Sequence, residues 1–241
     1  MPFTAFISDL HLSPERPGIT QVFLRFLSQD AADADALYIL GDLFEHWIGD
    51  DGINLEFNSL IVGALHALTQ RGKPVFVMRG NRDFLLKTQF SKQSGARLIE
   101  DPALIDLYGQ ATLLMHGDTL CTDDVRYQNF RKRARSPLTQ WLFLALPLSS
   151  RRKLVERTRR FSEKEKQIKS NEIMDVTHAA VESAFRAHAC ARLIHGHTHR
   201  PARHEHYVDG VSRERWVLSD WYTHGEYLRC DASGCQVVRL A

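Results

Sequence analysis

Five short apolar runs in this chain each end in residues able to hold a metal ion, and no other feature limits the fold so tightly. The runs are FTAFIS (3–8), ALYILG (36–41), PVFVMRG (74–80), ATLLMHG (111–117) and ARLIHG (191–196). Their β-branched and aromatic content predicts strands, and apolar residues at helical spacing over 20–32 and 53–71 predict helices between them. Such a βαβ rhythm builds a layered α/β sheet, where loops after buried strands carry the chemistry. After Pro201 the pattern changes to short strands near 204–208, 214–219, 226–231 and 235–240, expected to pair antiparallel. Residues 125–187 read as mainly helical, their first part an insertion between two core strands.

The first run leads into ISDLH, where Asp9 and His11, two apart in an extended chain, share one side. The second leads to Asp42 in GDLFEHWIGDD, the third to Asn81 in RGNRD and the fourth to His116 in HGD. The fifth leads to His197 and His199 in HGHTH. Taken alone, each has an ordinary reading. Asp42 after Gly41 suits a helix N-cap, Gly80–Asn81 suits a turn, and HGHTH suits a loop with a locked tautomer. Five such coincidences at successive strand ends are much rarer than one metal site. Two aspartates, an asparagine and four histidines make a mixed oxygen and nitrogen set, suited to manganese, iron or zinc. Seven protein ligands exceed what one ion takes. They match two ions about 3.5–4 Å apart that share a carboxylate, an arrangement that activates water and clamps phosphoryl oxygens.

Bulk composition narrows the remaining classes. The 241 residues suffice for one large domain, or one domain with an insertion, and 44% hydrophobic with 25% charged content is ordinary for a globular protein. The start MPFTAFISDLH lacks a basic region and reaches an aspartate at position 9, so no secretory signal is expected. The longest apolar stretch outside the strands, WLFLALPL (141–148), falls well short of the roughly 20 residues that span a bilayer. Cys121, Cys190, Cys230 and Cys235 have neither CxxC spacing nor a framework pattern, and are expected as reduced thiols in a cytosolic protein.

The net charge of +2 conceals a division. Between Arg126 and Lys169 stand 14 Lys and Arg against Glu156, Glu163 and Glu165, a local +11 that leaves −9 on the rest. Such a basic stretch usually means a solvated face or nucleic-acid binding. The apolar block inside it argues against both, and for a helical pair that lies on an anionic membrane and admits acyl chains.

The strings DLH, GDLFE, GNRD, HGD and GHTH, in this order, resemble the calcineurin-like metallophosphoesterases over the whole chain. The longer strings GDLFEHWIGDD, RGNRDFLL, HGDTLCTDD and LIHGHTHRP are similar to one family among them, the UDP-2,3-diacylglucosamine diphosphatases of lipid A biosynthesis. The resemblance implies an α/β fold, a four-layer αββα sandwich forming one domain over 1–241, with a helical lid inserted at 125–170 and two manganese ions. It implies one ion held by Asp9, His11, Asp42 and His199, and another by Asp42, Asn81, His116 and His197. Asp42 would bridge them, and Asp42, Asn81 and His116 would serve catalysis. The substrate contacts it carries over are Asn81, Arg82, Asp124, Tyr127, Arg159, Ser162, Lys166, Lys169 and His197. At Lys166 the family often has asparagine.

Asn81 and Arg82 then acquire a chemical reading. A neutral amide oxygen leaves the second ion more positive than a carboxylate would. Many members of the wider superfamily carry histidine at the place of Arg82, set to protonate a leaving alkoxide. Arginine keeps its proton but offers a fixed fork to a phosphate. A phosphate leaving group, whose second pKa is roughly 6, departs as a stable anion and needs no acid. The pair therefore points to a pyrophosphate substrate. Asp83 and Glu45 are expected to orient a ligand or Arg82. The expected activity is hydrolysis of UDP-2,3-diacylglucosamine, with water attacking the alpha phosphorus, to UMP and 2,3-diacylglucosamine 1-phosphate. The alternatives are a generic dinuclear phosphodiesterase or nuclease, and a non-catalytic, metal-stabilised scaffold that binds membranes. The expected setting is the cytoplasmic side of the inner membrane, as a peripheral monomer without nucleic-acid partners.

Overall fold

Along the buried strands, successive side chains enter different apolar layers, as the two-residue period of a strand requires. The computed structural model describes residues 2–168 and 175–240, the side chains of 159–168 excepted. Among the described residues the strands are β1 (Thr4–Ile7), β2 (Ala36–Leu40), β3 (Val75–Met78), β4 (Arg97–Ile99), β5 (Ala103–Leu107) and β6 (Gln110–Met115). They continue with β7 (Arg192–His195), β8 (Ala202–Val208), β9 (Val211–Val217), β10 (Glu226–Asp231) and β11 (Gly234–Arg239). Two mixed sheets result, ordered β11-β10-β1-β2-β3-β4 and β5-β6-β7-β9-β8. The helices are α1 (Pro17–Ser28), α2 (Asp30–Asp33), α3 (Glu56–Gln70), α4 (Thr88–Ser94), α5 (Val125–Ala134), α6 (Pro137–Leu144), α7 (Leu148–Ile168) and α8 (His178–His188).

Three apolar clusters define the layers. Ala5, Ile7, Leu37, Ile39, Val75 and Val77 pack with Phe23 and Phe26 of α1 and Leu65 of α3. The alternate residues Phe6, Leu40 and Met78 turn the other way, onto Leu114 and Ile194 of the second sheet. Leu113, Met115 and Leu193 face outward again, onto Val181 and Phe185 of α8. Helix, sheet, sheet and helix are thus stacked as the expected αββα sandwich.

Within the first sheet β1, β2 and β3 run parallel, and within the second β6, β7 and β9 do. The loops after these strands therefore leave the sandwich at its strand C-terminal ends. The late strands fall where the sequence put them, with one difference. β9 pairs antiparallel with β8 but parallel with β7. Residues 88–107, unassigned from the sequence, form α4, β4 and β5, each too short to show a period. The helices expected over 20–32 and 53–71 are α1 with the single turn α2, and α3. No helix among the described residues is long and apolar enough to cross a membrane.

The cysteine expectation needs correcting. Cys230 and Cys235 form a disulfide, while Cys121 and Cys190 are buried and take no part in one. The β10–β11 hairpin sets Cys230 directly opposite Cys235, with Asp231 opposite Gly234 at its turn. A separation of five residues in sequence reads as no framework, yet across a tight hairpin it makes cross-strand neighbours.

Phe185 is fully buried between α8 and the second sheet. Phe185→Ala should lower unfolding free energy by about 3–5 kcal/mol, seen as a lower urea midpoint at unchanged slope.

Candidate metal centre

The loops that follow the parallel strands extend the sheet ladders beyond the strands and bring the polar residues to one place. The Asp9 amide donates to Gly41 O at 3.1 Å and the His11 amide to Asp42 O at 2.9 Å. In the second sheet the Gly196 amide donates to His116 O at 2.9 Å, and the Trp221 amide crosses to Asp9 O at 3.1 Å. Asp9, His11, Asp42, His197 and His199 all adopt left-handed backbone, with φ of 54°, 49°, 54°, 70° and 55°. Aspartate and histidine are among the few side chains that tolerate this region. Gly80 and Gly196 allow the strand ends to close on each other. A methyl on Gly80 would overlap the Asp42 carboxylate and amide, and one on Gly196 would overlap Asp9 and Ser8.

The seven expected ligands converge. Two groups of three have donor atoms within 4.8 Å of one another: Asp9, His11 and His199, and Asp9, Asp42 and His116. Asp42 directs Oδ2 towards His11 Nε2 and Oδ1 towards His116 Nε2, each at 3.9 Å. Asn81 Oδ1 lies 3.0 Å from both His116 Nε2 and His197 Nδ1. His116 donates Nδ1–H to Leu40 O at 2.9 Å, which turns the Nε2 lone pair inward. Asp9 Oδ2 accepts from Ser8 Oγ at 2.6 Å and from the His197 amide at 2.8 Å. Its Oδ1 is buried, 3.5 Å from His199 Nε2, and meets no donor in hydrogen-bonding geometry. A buried carboxylate oxygen among imidazole nitrogens, with an amide oxygen opposite, is a donor set that fits a divalent ion.

Charge in the site is strongly coupled. Burial pulls the His116 imidazole down, but Asp42, Asp118 and Asp9 outweigh it and hold it at about 9. Burial, with Asp83 and Asp9, pushes Asp42 up to about 7 against the pull of His116. Burial and the charge of His116 press His197 down to about 3. Carboxylates and imidazoles crowded this way share protons, and a bound cation displaces them.

The surrounding residues divide the work of orientation. Glu45 turns one oxygen to His11 Nδ1 at 3.3 Å and the other to Arg82 Nη1 at 3.8 Å, matching the orienting role expected of it. Asp83 does something different. Its buried carboxylate accepts the amides of Gly80 and Leu43, each at 2.8 Å, and so ties two ligand loops together. The Arg82 amide donates to Asp42 Oδ1 at 2.8 Å. Asp220, not anticipated from the sequence, lies 3.4 Å from His199 Nδ1. Tyr222 stacks near His11, ring centroids 5.4 Å apart. Both follow β9, and extending the strand-end rule to LSDWY would have found them.

Among the carried-over substrate residues, Asp124 caps α5 by accepting the Tyr127 amide at 3.0 Å. The Tyr127 ring stands 5.9 Å from that of His197, and its hydroxyl donates to Asp118 at 2.6 Å. Arg159, Ser162 and Lys166 lie on α7, with side chains outside the described residues, as is Lys169 altogether.

Three basic residues that the sequence assigned to an anionic partner are internal ties instead. Arg131 Nε donates to Asp118, two residues from His116, at 2.6 Å. Arg135 donates to Gly80 O at 2.8 Å. Arg151 is buried, donates to Ile48 O and pairs with Asp51 in the loop after β2. Each of the three loops after β2, β3 and β6, which carry Asp42, Asn81 and His116, is thus held by one arginine from α5 to α7.

Two mixed sheets whose parallel strands present histidines, aspartates and an asparagine at adjoining ends define a metallophosphoesterase centre. The chain belongs to the calcineurin-like phosphoesterase family, whose pattern matches residues 4–201. It is similar to proteins named UDP-2,3-diacylglucosamine hydrolase. That of Aeromonas salmonicida (strain A449) is 51% identical over 94% of this chain and 89% of its own length. That of Azotobacter vinelandii is 51% identical over 96% and 95%, and that of Xanthomonas axonopodis pv. citri 49% over 99% of each. Among solved structures, an archaeal phosphodiesterase covers 99% of each chain at 12% identity and a TM-score of 0.50, a likeness of fold.

Gly80→Ala should displace Asp42 without unfolding the sandwich. Bound divalent metal, measured by elemental analysis, and hydrolytic activity should both fall, by about 10–100-fold in affinity or rate, with an unchanged far-ultraviolet circular dichroism spectrum.

Proposed function

We propose that the protein hydrolyses the pyrophosphate bond of UDP-2,3-diacylglucosamine, giving UMP and 2,3-diacylglucosamine 1-phosphate for lipid A biosynthesis. What carries this reading is near-full-length identity of 51% to hydrolases of that name, joined to a centre that sets Arg82 beside Asn81. Two manganese ions would be held by Asp9, His11, Asp42 and His199, and by Asp42, Asn81, His116 and His197. The opposed directions of the two Asp42 oxygens support its role as the bridge. Bound there, divalent ions supply Lewis-acid charge at the phosphate and activate water.

The chain's own groups set the geometry. Glu45 steadies Arg82, whose guanidinium grips the sugar-side phosphate and cannot protonate it. That phosphate leaves as a stable anion, so water enters at the phosphorus next to uridine. His116 keeps Nε2 inward through its bond to Leu40 O, and Asp220 does the same for His199.

The segment 125–170 acts as a lid within a single domain, and Arg82, Asp124, Tyr127, Arg159, Ser162, Lys166, Lys169, Asn81 and His197 contact the substrate. Leu138, Trp141 and Leu142 on α6 are 67%, 66% and 54% exposed, beside the basic turns of α5 and α7. An apolar patch with basic flanks supports docking to the anionic cytoplasmic surface of the inner membrane, where the protein would act as a peripheral monomer.

Purified protein with added manganese should release UMP from the diacylated nucleotide sugar. In heavy-oxygen water the label should enter UMP. Label in the sugar 1-phosphate would reverse the leaving-group assignment, and absence of UMP release would reject the function.

The arginine ties divide the lid into two kinds of residue. Arg135→Ala, which frees the Gly80 loop, should cut kcat/KM about 10–100-fold on both the natural substrate and a small activated phosphodiester. Arg159→Ala and Lys169→Ala should impair the natural substrate alone. Equal losses from all three on both substrates would refute the division.

A further inference from the structure

A second polar cavity lies next to the metal centre, on the outer face of the second sheet. It encloses about 240 Å³ between the loop after β7, the start of β8 and the end of β9. Arg215, only 7% exposed, forms part of its wall. Three arginines are buried among the described residues, and two of them hold carboxylates, Arg151 with Asp51 and Arg192 with Glu214. Among the described residues Arg215 has only imidazole partners. Its Nε donates to His206 Nε2 at 3.2 Å, and its Nη1 lies 3.1 Å from His195 Nε2. Arginine has no acceptor, so both imidazole nitrogens must accept and neither supplies negative charge. The carboxylate whose charge reaches it, that of Asp175, is already engaged by Arg200.

A buried guanidinium without a counter-charge is costly. The cavity also receives an unsatisfied polar atom. Thr198 Oγ1 is buried there without a hydrogen-bond partner among the described residues. Arg200 and His204 complete a wall that donates from several sides. With Asp175 and Arg200 cancelling, the lining is left with one positive charge.

We propose that this cavity binds a phosphate-type oxyanion. Donors from Arg215, Thr198 and His204 outnumber the two oxygens of a carboxylate and suit the several acceptors of a phosphate group. Thr198 stands between His197 and His199, so the bound phosphate would sit one residue from two ligands of the metal centre yet use none of them. The site is independent of which phosphoester the centre hydrolyses.

The full-length Asp42→Asn variant, with its metal centre disabled, separates the two sites. Titration calorimetry with inorganic phosphate, and in parallel with UMP, should show one saturable site in this variant. Adding Arg215→Gln should weaken it by about tenfold or more. Adding Thr198→Val, which keeps the side chain's shape, should weaken it without loss of fold and so covers the case in which Arg215→Gln does not fold. Equal affinity for both ligands would assign the cavity to phosphate itself, and tighter UMP binding to the phosphate of a product. No saturable binding in Asp42→Asn, or binding unchanged by both added substitutions, would overturn the proposal.

Discussion

Asp9, Asp42 and Asp83 are almost wholly buried in one place, and a buried carboxylate costs several kcal/mol unless donors or cations meet it. The loops meet that demand with their own backbone. Asp83 takes the amides of Gly80 and Leu43, Asp42 takes that of Arg82, and Asp9 takes that of His197. Five of the expected ligands among these loops adopt left-handed backbone, at a cost on the order of 1 kcal/mol each. The ladder-like bonds between loops offset the strain, and they exist only because the two sheets end together. What the network leaves over is the Asp9 oxygen without a donor and the inward lone pairs of the histidines, the atoms a metal would take.

The helical insertion belongs to this network more than its charge suggests. Arg131, Arg135 and Arg151 reach the loops after β6, β3 and β2. Pulling the insertion away would leave Asp118 and the Gly80 carbonyl without these partners. The insertion therefore contributes two things through different residues. Its arginines on the inner side steady the ligand loops, while Leu138, Trp141 and Leu142 remain on the surface. A basic count of 14 in that segment treats both kinds alike.

Much of the centre was legible before any coordinates. Asp9, His11, Asp42, Asn81, His116, His197 and His199 stand at the ends of strands that β-branched and aromatic content locates, while the αββα layering was implied by the resemblance of the strings around them. Residues 88–107 were not legible, because a seven-residue helix and strands of three and five residues hold too few positions to display a period. Asp220 and Tyr222 were missed for a different reason, since the last parallel strand was read as part of an antiparallel group.

The sequence by itself determined the kind of chemistry, through the types of residue at each strand end and their order along the chain. Only the tertiary structure decided which of these groups face one another. Arg151 finds Asp51 across 100 residues, and His197 meets Asn81 across 116. Cys230 reaches Cys235 only because the hairpin between them is tight. Periodicity is a local property and can be read along the chain. Partnership between distant side chains depends on how the two sheets pack and where their loops end, and no local spacing encodes that.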